Sequence, residues 1–106
     1  MTRTSTVDGG LIYELHGRLD SETSIQAEKE LEELLRCGCT VLALDLRQLV
    51  FVSSAGLRVF LAVTKKLRMA GGEVVFFGPQ GNVLEVLNIS GFSRILNVQE
   101  KYSAAQ

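Results

Sequence analysis

The sequence predicts an α/β fold in which a small mixed β-sheet of four to five strands packs against three to four α-helices. Two continuous apolar runs, residues 40–46 and 73–78, are typical of strands that are buried on both faces of a parallel sheet. Segments with helical spacing alternate with these runs, and such alternation indicates parallel crossover connections. The 106 residues fit one compact domain, which we expect to span residues 1–106.

The first residues of the chain predict a β-hairpin. Residues 4–7 form a candidate edge strand, residues 11–16 form a second strand with partial alternation, and Asp8-Gly9-Gly10 between them is a turn signal. The segment Gly17-Arg18-Leu19-Asp20 is predicted to break the second strand. The hairpin would add one antiparallel pair to the sheet.

A first helix is predicted to begin near Thr23 and to end at Gly38. Thr23 and Gln26 match the spacing of a capping box, and an apolar face follows at Ala27, Leu31, Leu34 and Leu35. If Thr23 caps this helix, Asp20 lies in an exposed loop and is available for another role. The alternative is that Asp20 itself caps the helix, and the spacing leaves both interpretations open.

Two more helices are predicted in the second half of the chain. One runs from about residue 54 to residue 70 and stops at Gly71-Gly72. A shorter one follows the turn at residues 79–82 and ends at Gly91. The apolar residues after Gly91 are expected to cover remaining core surface, and residues 101–106 form a polar tail that is expected to fray.

The stretch Val50-Phe51-Val52-Ser53-Ser54-Ala55-Gly56-Leu57-Arg58 joins an apolar run to the start of a helix. Serine favours helix starts because its side-chain oxygen accepts a free main-chain N–H of the first turn. At least one of the two hydroxyls is therefore predicted to lie at the positive end of a helix dipole. A phosphate placed there would also meet free N–H donors. The plain alternative is an N-cap with no further role.

The composition excludes several classes of function. With 11 basic and 12 acidic residues the formal net charge is −1, and nucleic-acid binding requires a basic surface. No apolar run is long enough to cross a membrane, and the polar start of the chain lacks the apolar centre of a signal peptide, so we expect a cytoplasmic protein without membrane insertion. Cys37 and Cys39 are too close for an unstrained disulfide and are expected to be free thiols.

No constellation of residues indicates catalysis. Ser54 does not lie in a Gly-x-Ser-x-Gly segment, His16 is the single histidine, and no phosphate-binding loop with Lys-Ser or Lys-Thr is present. A lone Cys-Gly-Cys pair is at most half of a metal site. We therefore predict no enzyme activity, no catalytic residue, no cofactor and no metal.

Several segments together resemble the STAS domain, and in particular the bacterial anti-sigma factor antagonists. The segments that carry this resemblance, in order along the chain, are Gly17-Arg18-Leu19-Asp20, Leu44-Asp45-Leu46, Val52-Ser53-Ser54-Ala55-Gly56-Leu57-Arg58, Gly71-Gly72-Glu73 and Ile89-Ser90-Gly91-Phe92. The resemblance covers nearly the whole chain and implies a STAS-like fold. The Ser-Ser-Ala-Gly-Leu-Arg segment and the Gly-x-Leu-Asp turn are its most specific parts.

The resemblance also implies a phosphorylation-controlled partner switch. In the family, an anti-sigma factor that is also a serine kinase phosphorylates the serine two residues before a Gly-Leu pair, which corresponds to Ser54. The unphosphorylated antagonist binds the anti-sigma factor and releases the sigma factor, and a serine phosphatase restores that form. The implied partner-binding residues are Asp20, Ser53, Ser54, Gly56, Leu57 and Arg58. Many members carry Asp where this chain has Ser53, so one negative charge beside Ser54 is missing.

Two other functions are alternatives to this switch. Some STAS domains act without phosphorylation as scaffolds or regulatory modules beside transporters or in stress-signalling complexes. An enzyme is a more distant alternative, because no candidate base or cofactor motif is found. In its free form the protein is expected to be a monomer.

Overall fold

The computed structural model of the chain describes residues 2–7, 10–36, 38 and 40–99. The strands are β1 (Thr2–Val7), β2 (Gly10–Leu19), β3 (Val41–Val52), β4 (Glu73–Phe77) and β5 (Asn97–Gln99). The helices are α1 (Thr23–Arg36), α2 (Ser54–Met69), α3 (Gly81–Ile89) and α4 (Phe92–Ile95). Helix α1 lies between β2 and β3, α2 lies between β3 and β4, and both α3 and α4 precede β5.

The five strands form one sheet in the order β1-β2-β3-β4-β5. Strand β1 is antiparallel to β2, and the remaining neighbours are parallel. The predicted mixed sheet with an antiparallel first pair is therefore confirmed. Helix α4 follows α3, and strand β5 then completes the sheet. Both elements form from the apolar segment after Gly91, for which the sequence predicts only a cover on the core.

The central strand β3 carries the core. Leu42, Leu44 and Leu46 have no exposed surface, as the apolar run predicts. The neighbouring β4 buries Val75 and Phe77, so the second apolar run also forms a buried strand, as predicted. Burial of a leucine side chain contributes about 1.5–3 kcal/mol to folding, so this strand anchors the elements on both sides of it.

Strands β2 and β3 are longer than the sequence indicates. The prediction that residues 17–20 break β2 is wrong for Gly17, Arg18 and Leu19, which pair with the end of β3. The pairing shifts register between Glu14 and His16 and again between Gly17 and Arg18. Such bulges absorb an extra residue without ending a strand, and Gly17 tolerates its φ of 75° because it lacks a Cβ. Both strands consequently end side by side, at the same end of the sheet.

Some predictions fall on residues outside the described ranges. These are the turn at Asp8 and Gly9, the thiols of Cys37 and Cys39, and the polar tail from residue 101 onward. Within the described residues, none of the helices combines the length and apolar character that a membrane span requires.

Candidate functional site

The candidate site lies where β2 and β3 end side by side. Leu19 pairs with Val52 at the last position of the two strands, and the Ser53 N–H donates to the Leu19 carbonyl oxygen at 2.9 Å. Asp20 and Ser54 follow these paired positions directly. Both residues therefore lie at the same end of the sheet, as loops that follow two parallel strands should.

Ser53 is the residue that caps helix α2. Its carbonyl oxygen accepts the Leu57 N–H at 2.9 Å, and its side chain accepts the Gly56 N–H at 3.4 Å. Ser54 is consequently the first helical residue and does not cap. Its side chain is exposed, and no other described residue forms a hydrogen bond with its hydroxyl. An exposed hydroxyl at the positive end of a helix can accept a phosphoryl group, and the helix tolerates the charge that results.

Gly56 and Leu57 lie beneath this surface, although the sequence placed both among the residues that contact a partner. A Cβ at Gly56 would lie 2.7 Å from Val52 Cγ2 and 2.9 Å from the Leu19 carbonyl oxygen. Leu57 is only 8% exposed and belongs to the core. Both residues therefore hold the start of α2 against the ends of β2 and β3, and so position Ser54 without forming the surface themselves.

Asp20 caps helix α1. Its Oδ1 accepts the N–H groups of Glu22 and Thr23, both at 3.0 Å, and its carbonyl oxygen accepts the Ser24 N–H at 2.9 Å. The Thr23 hydroxyl accepts the Asp20 N–H at 2.9 Å in return. This reciprocal pair is a capping box that begins at Asp20.

The predicted capping box from Thr23 to Gln26 is therefore wrong, and the alternative in which Asp20 is the cap is correct. The Gln26 side chain instead donates to Glu30 at 2.9 Å. Both Asp-x-x-Thr and Thr-x-x-Gln have the spacing of a capping box, and the caps that they predict lie about one helical turn apart. Asp20 is nevertheless partly exposed, so capping does not exclude a contact with a partner.

Neighbouring groups stabilise the ionised carboxylate of Asp20. Hydrogen bonds from the Thr23 and Glu22 N–H groups lower the pKa of Asp20 below its ordinary value, with a smaller contribution from Arg18. The Arg18 Nε lies 4.0 Å from Asp20 Oδ2, and the Arg18 guanidinium lies 4.2 Å from the centre of the Phe51 ring. Sequence reasoning missed this stacked arginine, because only the shifted register of β2 against β3 brings Arg18 to Phe51.

An open groove extends from the site between helices α1 and α2. It has a volume of about 620 Å³, and Ser21 and Ala55, the residues that follow Asp20 and Ser54, line its near end. Exposed Arg58 also lines it, one turn along α2 from Ser54. The groove was not predicted, although small residues at Ala55 and Ala62 on one face of α2 were a signal for it.

Among the described residues, His16 lies away from Ser54. His16 pairs with Glu14 at 3.1 Å and lies beside Gln48, roughly 10 Å along the strand from the end that carries Ser54. In the described part of the chain, no cluster of three or more His, Cys, Asp or Glu side chains could hold a metal ion.

The sequence of this chain is similar to those of known proteins. A family model described as the STAS domain matches residues 2–105. The chain is 42% identical over 99 residues to BtrV of Bordetella bronchiseptica, whose name assigns it to the anti-sigma factor antagonists; the match covers 93% of this chain and 85% of that protein. It is 32% identical to the anti-sigma F factor antagonist of Paenibacillus polymyxa, over 87% of this chain and 80% of that protein.

Solved structures show the same fold at lower sequence identity. A Thermotoga maritima protein described as an anti-sigma factor antagonist superposes with a TM-score of 0.90 at 24% identity, over 98% of this chain and 90% of that chain. The anti-sigma factor antagonist SpoIIAA in its unphosphorylated form gives a TM-score of 0.82 at 19% identity, over 99% of this chain and 92% of that chain. The chain therefore belongs to the STAS domain family, among the anti-sigma factor antagonists.

Proposed function

We propose that this protein is the antagonist in a phosphorylation-controlled partner switch. Its unphosphorylated form binds an anti-sigma factor that is also a serine kinase, and a sigma factor is released. The kinase then modifies Ser54, the complex dissociates, and a serine phosphatase restores the binding form. In this proposal residues 1–106 act as a single cytoplasmic domain that is monomeric when free.

The observation that carries the proposal is the placement of Ser54. It is the exposed hydroxyl at the first position of α2, directly after the Ser53 cap and two residues before the buried Gly56. Relatives at 32% and 42% identity are named as anti-sigma factor antagonists. A Bacillus protein of the same fold, SpoIIAA, has been solved in its phosphorylated form, with a TM-score of 0.75 at 17% identity.

The electrostatics explain how one modification can act as a switch. A phosphate on Ser54 adds about −1.5 to −2 charges at the start of α2, where the helix dipole and free N–H groups stabilise an anion. A partner that covers Ser54 would have to remove water from these charges without compensating them. Asp20 lies at the same end of the sheet and is already charged, so phosphorylation would raise the negative charge there far above the one carboxylate that the partner meets in the unphosphorylated form.

Phosphate transfer with purified proteins tests the proposal. The cognate kinase and ATP are incubated with wild type, Ser54→Ala and Ser53→Ala, and the phosphate is located by mass spectrometry. We expect wild type and Ser53→Ala to be modified and Ser54→Ala to remain unmodified. Modification of Ser54→Ala together with an inert Ser53→Ala would assign the site to Ser53. A stable complex in which no variant is ever modified would favour the scaffold function instead.

A further inference from the structure

The groove between α1 and α2 carries two cations that have no partner in the described part of the chain. Arg58 and Lys65 both line it, and neither forms an ion pair or hydrogen bond with any other described residue. The cations at the far end of α2 differ from them. Lys66 pairs with Glu32, and Arg68 lies 3.8 Å from Glu73. Among the described residues, the basic side chains of α2 thus have acidic neighbours at its C-terminal end but none along the groove.

Apolar side chains form part of the lining of the groove. Ala55 and Ala62 leave the α2 side open because their side chains are small, and Ile25 on the α1 side is 59% exposed. An exposed isoleucine beside unpaired cations is the composition expected of an interface with an apolar centre and a polar rim. Glu28 is the single acidic residue among those that line this groove.

We propose that this groove is a second contact region for the anti-sigma factor, and that it binds an acidic segment of that partner. Arg58 and Lys65 lie seven residues apart on α2, which places them about 10 Å apart along the helix axis. The complementary segment therefore presents two carboxylates at about this separation, with an apolar side chain between them that packs on Ile25 and Ala62. Opposite charges of this kind chiefly increase the rate of association.

The groove is continuous with the surface around Asp20 and Ser54. Its lining includes Ser21, which follows Asp20, and Ala55, which follows Ser54. A partner that covers Ser54 can therefore extend into it without a gap. The inference rests on the proposed function, since it concerns the same partner. It adds residues outside the motif that identifies the phosphorylation site, namely Ile25, Glu28 and Lys65.

Neighbouring lysines on α2 provide a matched test. Lys65 lines the groove, whereas Lys66 lines a separate cavity near the C-terminal ends of α1 and α2. Binding is measured by surface plasmon resonance with the purified kinase that modifies Ser54, at low and high salt. Lys65→Gln is expected to associate about threefold more slowly than wild type. The double variant Arg58→Gln/Lys65→Gln is expected to associate about tenfold more slowly and to lose most of its salt dependence. Lys66→Gln is expected to associate within about twofold of wild type.

The variant Glu28→Lys tests the sign of the charge. It adds a third cation to the groove, so we expect faster association and tighter binding by about threefold. Damage to the fold can only weaken binding, and melting curves of all variants check that the fold is retained. Weaker binding by Glu28→Lys, or equal loss in the Lys65 and Lys66 variants, would overturn the proposal.

Two further outcomes are distinguishable. If the kinase binds and phosphorylates wild type and the double variant equally well, the groove is not a contact region and the proposed switch stands. If wild type is neither bound nor phosphorylated, the switch itself is wrong and the groove proposal falls with it. A concentration-dependent dimer in analytical ultracentrifugation that Glu28→Lys disrupts would assign the groove to a second copy of this chain.

Discussion

The N–H of Ser53 donates to the carbonyl oxygen of Leu19 at 2.9 Å, and this hydrogen bond ties the start of α2 to the end of β2. The strand that precedes α1 and the strand that precedes α2 thereby stop at the same level. Each helix then begins with a capping residue, Asp20 for α1 and Ser53 for α2. The exposed Ser54 is consequently held at the shared end of β2 and β3.

Gly56→Ala is predicted to destabilise the domain although alanine is the better helix former. Its Cβ would come within 2.9 Å of the Leu19 carbonyl oxygen and within 2.7 Å of Val52 Cγ2. Overpacking of this kind typically costs about 1–3 kcal/mol. Chemical denaturation of wild type and variant measures the difference. A variant more stable by about 1 kcal/mol, as helix propensity alone predicts, would show that α2 can move away from β2 at no cost.

Ser53→Asp is predicted to retain the stability of the domain, whereas Ser53→Ala loses part of it. Asp and Ser are similarly good caps, and loss of a cap typically costs about 0.5–2 kcal/mol. The observed bond from the Gly56 N–H is 3.4 Å long, so we expect a loss near the lower end of this range. Chemical denaturation of both variants compares them. Equal stability of all three proteins would mean that the Ser53 side chain contributes nothing to the start of α2.

Local sequence signals predict part of the structure around Ser54, and the parts that they do not predict depend on strand pairing. The strand at Leu42, the serine pair and the helix after it are encoded locally, by apolar runs and capping residues, and these predictions are confirmed. The extension of β2 through Leu19 is not encoded locally, because it depends on pairing with β3 across register shifts. The contact of Arg18 with Phe51 depends on the same pairing, so it could not be predicted.

Asp20 variants separate capping from partner binding. Asn is as good a cap as Asp, so Asp20→Asn should retain the melting temperature, whereas Asp20→Ala removes the acceptor for the Glu22 and Thr23 N–H groups and should melt lower. If the charge contacts the partner, both variants bind the kinase more weakly, by about tenfold. Thermal melts and partner titrations distinguish the two effects. Full affinity and an unchanged phosphorylation rate for Asp20→Asn would show that the charge of Asp20 does not contribute to partner binding.

Asp45 is predicted to make the stability of the domain depend on pH. Burial alone raises the pKa of this carboxyl, which is 3% exposed, but hydrogen bonds from the Arg47 guanidinium and N–H and the charge of Arg47 outweigh it. The pKa of Asp45 in the folded state is therefore below its ordinary value of 3.8. The unfolded chain binds the proton more readily, so this stabilisation is complete at neutral pH and decreases as the pH falls below about 4.

Asp45→Asn measures this contribution. At pH 7 we expect the variant to lose about 1–3 kcal/mol, because Arg47 loses a charged hydrogen-bond partner. Between pH 5 and pH 3 its free energy of unfolding should decrease less steeply than that of wild type, since one titrating group is absent. Glu22→Gln, which removes an exposed carboxylate, is the matched control. Parallel pH curves for wild type and Asp45→Asn would contradict the prediction.

Ser54→Asp is predicted to retain the fold and to bind its partner more weakly. A negative group in the first turn of a helix gains about 0.3–1 kcal/mol, so the melting temperature should be unchanged or slightly higher. Ser54 is the first residue of α2 and not its cap, so the substitution leaves the Ser53 hydrogen bonds intact. Binding to the kinase should weaken by tenfold or more, which is about 1.4 kcal/mol, because the charge must lose water at the interface. Ser54→Ala should bind as wild type does and remain in the binding form.

Melting curves and partner titrations of wild type, Ser54→Asp and Ser54→Ala decide between two mechanisms of the switch. In one, phosphate only makes the contact surface unfavourable; in the other, it changes the conformation of the domain. A Ser54→Asp variant that melts many degrees lower, and loses binding only in proportion to unfolding, would establish the conformational mechanism. If Ser54→Asp binds normally, the phosphorylated protein must be titrated, since Asp carries one charge where phosphate carries about −1.5 to −2. Full affinity of the phosphorylated protein would refute the switch, because Ser54 would then accept phosphate without any consequence for its partner.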